Sequence, residues 1–355
     1  MKKKQLIVLT FLCISILVQS QVSKYSNEFL SIGVGARELA MGGASVASTS
    51  SVYSSYWNPA ALITLNSDAQ IGAMHNENFA GISKYDYLGF TSVKHGNSAL
   101  GFSIVRNGVD GIPNTLNLID NNGDVNYSNI TTFSVNDYAF FISAAQKLND
   151  DGLTVGTNIK IIRRIVGNFA SAWGFGIDLA ARYEVNKWVL AAMLRDATTT
   201  YNAWKFNTST FKDVFLLTGN EIPQNSTELT MPKLTLGSSK YFDIGKKHRI
   251  VTELDADFTF DGRRNVLVKS KFTSIDPKVG LEYGFKQLLF FRAGINNIQK
   301  IPDFSNKSRL DIQPNIGAGF KYKKIALDYA LSILGDKSSA LYSNIFSLSY
   351  SFNKK

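Results

Sequence analysis

Between Leu341 and Phe352 apolar and polar side chains alternate, with Phe346, Leu348, Tyr350 and Phe352 on one face and Ser347, Ser349 and Ser351 on the other. A period of two marks a strand with one greasy and one wet side. The pattern recurs along the chain. Trp173, Phe175, Ile177, Leu179, Ala181 and Tyr183 oppose Gly174, Gly176, Asp178, Arg182 and Glu184. Ile250, Leu254, Ala256, Phe258 and Phe260 oppose Glu253, Asp255, Asp257 and Asp261. Val279, Leu281, Tyr283 and Phe285 oppose Lys278, Glu282 and Lys286, and Ile325, Leu327, Tyr329, Leu331 and Ile333 form one more apolar face. Charges stacked on one face of a strand call for water behind the wall, while the apolar faces suit lipid.

About fourteen strands are predicted from this reading. They run over Asp68 to His75, Lys84 to Lys94, Ser98 to Asn107, Phe133 to Lys147, Leu153 to Val166, Ala172 to Glu184 and Trp188 to Arg195. The second half comprises Thr230 to Phe242, Arg249 to Asp261, Ile275 to Phe285, Leu288 to Asn296, Ile312 to Lys323, Ile325 to Leu334 and Leu341 to Phe352. Connections after even strands are short, as at Val185 to Lys187 and Lys286 to Gln287. Every long one follows an odd strand: Gly108 to Thr132, Asp196 to Leu229, Gly262 to Ser274 and Asn297 to Asp311. Outer-membrane barrels sort their connections in this way, and a soluble β-sandwich has no reason to. The expected fold is therefore an all-β transmembrane barrel of about fourteen antiparallel strands.

The ends and the composition agree with export to that membrane. Lys2, Lys3 and Lys4 precede a short apolar run from Leu6 to Val18, a secretory signal pattern too short to span a bilayer. Cleavage before Gln21 makes residues 1–20 a signal peptide, leaves residues 21–67 as an N-terminal plug and 68–355 as the barrel, and removes Cys13. Without the three lysines the chain keeps 35 basic and 28 acidic residues. That excess is moderate and lacks a concentrated basic block, so nucleic acid is not an expected partner, whereas the lipid bilayer is.

The stretch before the first strand is rich in small and apolar residues, too much so for a free tail. Gly42 and Gly43 allow tight turns against a wall, and Asn58 before Pro59 is restricted to an extended or turn conformation. Two elements stand out, Gly35-Ala36-Arg37-Glu38-Leu39-Ala40-Met41-Gly42-Gly43-Ala44 and Tyr56-Trp57-Asn58-Pro59-Ala60-Ala61-Leu62. Together they resemble the N-terminus of the PorV/PorQ proteins, barrels related to the FadL fatty-acid transporters and found with the type IX secretion system of gliding bacteria. The resemblance implies an N-terminal plug inside a FadL-like barrel that takes part in protein secretion. Implied partners are secreted proteins with C-terminal sorting domains, a large outer-membrane translocon and a surface attachment complex. It also marks Gly35, Ala36, Arg37, Met41, Gly42, Gly43, Trp57, Asn58, Pro59 and Ala60 as the plug motif.

Asp196 to Leu229 is long enough for local structure and more apolar than a plain surface loop; it is expected to pack over its own barrel mouth as a lid or to dock a partner, with Trp204, Phe206, Phe211 and Phe215 as candidate partner-binding anchors. No catalytic, metal or cofactor site is predicted. Gly33-Val34-Gly35 lacks a preceding strand and a correctly spaced third glycine. Asp255, Asp257 and Asp261 lack the glycine and glutamate of a calcium loop. His75, His95 and His248 are expected at strand ends and turns without ligand spacing. Arg37 and Glu38 are expected to satisfy one another inside the lumen or to pair with wall charges such as Asp178, Glu253 or Arg292. The leading expectation is a PorV-like barrel that binds secreted cargo on its outer loops. The alternatives are a FadL-like conduit for hydrophobic small molecules and a barrel that braces a larger assembly.

Overall fold

The computed structural model describes residues 26–94, 97–119, 123–148, 152–302, 308–333 and 342–353. The expected signal peptide, Cys13 and His95 lie outside them. The first seven strands are β1 (Ala69–Asn78), β2 (Ser83–Lys94), β3 (Ser98–Asn114), β4 (Thr131–Lys147), β5 (Leu153–Val166), β6 (Ala170–Val185) and β7 (Trp188–Arg195). Then come β8 (Thr200–Phe206), β9 (Ser226–Thr230), β10 (Lys233–Ile244), β11 (His248–Thr259) and β12 (Ser274–Phe285). The last four are β13 (Leu289–Pro302), β14 (Ser308–Tyr322), β15 (Ile325–Ile333) and β16 (Tyr342–Phe352).

β1 to β7 and β10 to β16 form a closed antiparallel ring of fourteen strands. Closure is made by β1 on β16, where Ala69 faces Phe352 and Glu77 faces Asn344. Leu100, Trp173, Phe175, Leu254, Phe291, Phe346 and Leu348 point outward, each about half exposed or more, as a band of apolar side chains facing lipid. Trp188 sits in a rim at one end, its ring 4.5 Å from Lys240 Nζ. Among the described residues, no helix is long and apolar enough to cross a membrane. Asn186 and Lys187 both have positive φ, as a two-residue hairpin turn of the mirror-image type requires.

The expected loop Asp196 to Leu229 requires correction, because it contains β8 and β9. Leu194 of β7 faces Leu179 of β6, while Tyr201 of β8 faces Phe175, so a step of four residues on β6 matches a step of seven on its neighbour. β8 thus continues β7 along the same strand of the wall after an insertion. The insertion is odd, so the inward set changes from Val189, Ala191 and Met193 to Thr200 and Asn202. That phase change hides β8 from an alternation reading. β9 likewise continues β10 across Met231 and Pro232, and Pro232 has no N–H to give a ladder.

Residues 26–65 lie within the ring, touching inward faces on several sides of the wall. They form short helical turns at Glu28–Ser31, Ala36–Ala40, Ser54–Trp57 and Pro59–Thr64. Val34, Ala36, Ala40, Val52 and Ala60 have no exposed surface. Inward glycines of the wall make room for this inner segment. A Cβ on Gly156 would lie 2.3 Å from Ala60 N, one on Gly294 2.0 Å from the Met41 carbonyl carbon, and one on Gly72 2.4 Å from Val52 Cγ1. The lumen expected to be water-filled is therefore packed with backbone along these strands.

Candidate binding site

Inside the ring, wall carboxylates hold the inner segment by its backbone. Asp255 Oδ2 accepts the amides of Ser45 and Val46 at 2.8 and 3.0 Å. Glu253 Oε1 accepts those of Ala47 and Ser48 at 2.7 and 3.2 Å. Four successive N–H groups thus face two carboxylates one strand period apart on β11, a strong charge-assisted arrangement. The Asp255, Asp257 and Asp261 group is accounted for by such bonds, since Asp257 pairs with Lys278 at 2.8 Å and Asp261 with Arg264 at 2.6 Å.

The plug-motif residues occupy three kinds of position. Gly42 and Gly43 have φ of 68° and 70°, and a Cβ on Gly42 would stand 2.9 Å from Ile295 N. Gly35 also has positive φ, with Glu38 Oε2 filling the space of a Cβ. Met41 packs against Gly280, and the Ala36 amide donates to Ser347 Oγ at 2.7 Å. Asn58, in extended backbone, accepts from the Ala60 amide at 3.0 Å and donates to Val46 O at 2.8 Å, with Pro59 and Ala60 lying on Gly156. Trp57 Nε1 donates to Val34 O at 2.7 Å. Arg37 pairs with Glu282 at 2.9 Å, so its wall partner is neither Asp178 nor Glu253. Asp178 instead receives Lys160 Nζ at 3.0 Å beside the β7–β8 insertion. Glu38 is fully buried 3.6 Å from Arg37, and neither carboxylate oxygen has a hydrogen-bond partner among the described residues. Burial pushes its carboxyl up to about 7, against the pull of Arg37.

At the outer end, where the long connections gather, lies a cavity of about 760 Å³. Trp204, Phe206, Phe211 and Phe215 all line it, together with Phe133, Phe169 and Pro113. Phe169 stands edge-on to Phe133 with centroids 5.0 Å apart, and Phe211 lies 4.8 Å from Phe215. Phe211, which precedes a short helix at Lys212–Leu217, is buried, whereas Leu216 and Leu217 of that helix are exposed. Among the described residues, the polar lining comprises Asn114, Thr115, Ser226, Thr227 and the one charged residue, Glu228, whose Oε2 accepts Trp204 Nε1 at 2.8 Å and Arg164 Nη1 at 3.4 Å. Phe133 and Phe169 escaped the sequence reading because one starts a strand and the other sits in a tight turn. Each is unremarkable until β8 is brought beside β6.

Of the histidines, His248 opens β11 at a strand end as expected, whereas His75 lies in the interior of its strand, β1. His75 Nδ1 is 2.6 Å from Asp86 Oδ1, and His248 Nδ1 is 2.7 Å from the Tyr283 hydroxyl. Among the described residues, no cluster of three or more histidine, cysteine, aspartate or glutamate side chains could hold a metal ion.

The closed ring, its apolar outer band and its sorted connections define an integral β-barrel of the Gram-negative outer membrane. Several solved structures share this architecture. The fold is similar to that of the CymD monoaromatic hydrocarbon channel, with TM-score 0.60 and 14% identity over 91% of this chain and 98% of that one. It is also similar to the P. putida toluene transporter TodX, with TM-score 0.56 and 13% identity over 91% and 99% of the two chains. A Pseudomonas aeruginosa FadL homologue gives TM-score 0.55 and 10% identity over 90% and 98%. At such identities the likeness is one of fold. No family model matches the sequence, and no curated protein does.

Proposed function

We propose that this barrel takes up apolar molecules, in the manner of a FadL-like channel, with the outer cavity as the capture site. The observation that carries this reading is the aromatic cavity itself, about 760 Å³ of mostly apolar space at the outer end of a barrel whose fold neighbours include hydrocarbon and toluene transporters. Apolar ligands bind such pockets through area removed from water, and one polar group such as Glu228 orients them. Proteoliposomes carrying the protein should take up labelled hydrocarbon or fatty acid faster than empty ones. Phe211→Ala combined with Trp204→Ala should weaken saturable binding about tenfold or more, for two truncated aromatic anchors. Uptake no faster than in empty liposomes rejects the proposal.

A second reading, a PorV-like carrier of secreted proteins, is favoured by the two N-terminal elements at Gly35 to Ala44 and Tyr56 to Leu62. Here Trp204, Phe206, Phe211 and Phe215 would anchor a cargo domain rather than a small molecule. Its support would be secreted proteins and a large translocon recovered with the tagged barrel and lost when residues 207–225 are removed. Unchanged recovery after that deletion counts against it.

A further inference from the structure

A second chamber lies within the lumen, apart from the aromatic cavity at the mouth. It measures about 370 Å³ and is bounded by the inner segment, the inward faces of β10 to β14 and outer-loop residues such as Asn265 and Val266. Its two sides differ in chemistry. Ile32, Leu39 and Trp57 supply an apolar side from the inner segment, which also brings Glu28, paired with Arg264 of the outer loop at 2.8 Å; Lys233, Lys278, Asp257 and Asp276 supply a charged side from the wall.

The polar side is incompletely matched. Lys278 Nζ donates to Asp257 Oδ2 at 2.8 Å, and Lys233 Nζ reaches the same oxygen at 3.5 Å. Thr235 already occupies Asp257 Oδ1 at 2.6 Å. Two ammonium groups, each with three N–H donors, therefore share one carboxylate oxygen. Close by, Asp276 Oδ1 and Thr259 Oγ1 are buried without a hydrogen-bond partner among the described residues. Buried polar atoms find partners, and here the space that could supply them is the chamber.

We infer that the chamber binds a small zwitterion, an amino acid or short peptide bearing an apolar side chain. Its carboxylate bridges Lys233 and Lys278, its ammonium meets Asp276, and its side chain lies on Ile32, Leu39 and Trp57. A chamber of this volume suits a ligand of that size. A neutral hydrocarbon would leave the two lysines and Asp276 as they are, so the chamber has a different ligand class from the mouth cavity.

The test is calorimetric titration of the purified full-length barrel with leucyl-leucine, and in parallel with the dipeptide acetylated at its N-terminus and amidated at its C-terminus. Saturable binding of the free dipeptide and none of the capped one is expected. Asp276→Asn should weaken the free dipeptide about tenfold, the cost of a charge-assisted hydrogen bond. Lys233→Gln serves as a second variant with the same expected direction, and heat-modifiable gel mobility establishes that each variant is folded. Phe211→Ala, which enlarges the mouth cavity, should leave dipeptide binding unchanged, so the outcome is separate from that of the uptake assay. Absence of saturable binding, equal binding of the capped dipeptide, or unchanged affinity in both folded variants overturns the inference.

Discussion

Arg37 Nε lies 2.9 Å from Glu282 Oε2, and the same oxygen receives Arg292 Nε at 2.6 Å. One wall carboxylate is thus shared between the inner segment and the wall, and Arg292 extends the chain to Asp328 at 2.7 Å. Removing Glu282 leaves two buried guanidinium groups facing each other, whereas removing Arg37 leaves Glu282 with Arg292. Glu282→Ala should therefore cost more than Arg37→Ala, on the order of 3–5 kcal/mol, the range for breaking a buried ion pair by removing one partner. Heat-modifiable mobility and limited proteolysis of residues 26–65 measure the order, and equal effects would contradict it.

Glu253 and Asp255 grip four successive amides, so their loss should free backbone rather than unfold the ring. Glu253→Gln keeps the shape but weakens charge-assisted bonds, each worth about 1.5–3 kcal/mol. Hydrogen exchange should rise at Ala47 and Ser48 by about tenfold or more while exchange in β11 stays unchanged. Exchange that rises equally throughout β11 would show the carboxylate to be supporting the wall instead.

Gly294 faces the inner segment at closest range, its missing Cβ falling 2.0 Å from the Met41 carbonyl carbon. Gly294→Ala should displace the Met41–Gly42 turn at a cost of about 1–3 kcal/mol or more, since backbone cannot yield as a flexible side chain does. Gly101→Ala is the matched control, because the nearest atoms to its Cβ are 3.4 Å away, an ordinary contact. The thermal transition of the heat-modifiable form should fall for the first and hold for the second.

The Glu38 carboxyl is pushed up to about 7 in its buried site, first by desolvation, and would titrate near 4.5 if the segment were released into water. The docked state therefore binds the extra proton between those values, and docking weakens as pH rises from about 4.5 to 7, then levels off. The full effect is on the order of 3 kcal/mol. Glu38→Gln should flatten the pH dependence of protease resistance in the inner segment. A wild-type segment that grows more resistant as pH rises through this window would contradict the assignment.

The wall was legible in the sequence wherever alternation held its phase. Strands such as β6 and β16 expose Trp173, Phe175, Phe346 and Leu348 as their periods foretell. β8 was hidden because the odd insertion after Arg195 exchanges the two faces, and β9 because it stops at Met231 and Pro232. Trp204, Phe206, Phe211 and Phe215 stood out by composition, but their neighbours Phe133, in β4, and Phe169, in the β5–β6 turn, are distant in sequence and carry no local mark. The wall partners of Arg37 and of the amides at Ser45 to Ser48 were open for the same reason. An inward carboxylate reads alike whether it meets water, a lysine or a backbone N–H.

The amides of Ser45 to Ser48 have a consequence for assembly. Their partners belong to β11, about two hundred positions further along the chain, as the bond from Ser45 to Asp255 illustrates. Although synthesised early, this stretch can exchange water for carboxylate partners on its N–H groups only once that distant strand is in place. The stopper therefore cannot set before that part of the vessel has been made.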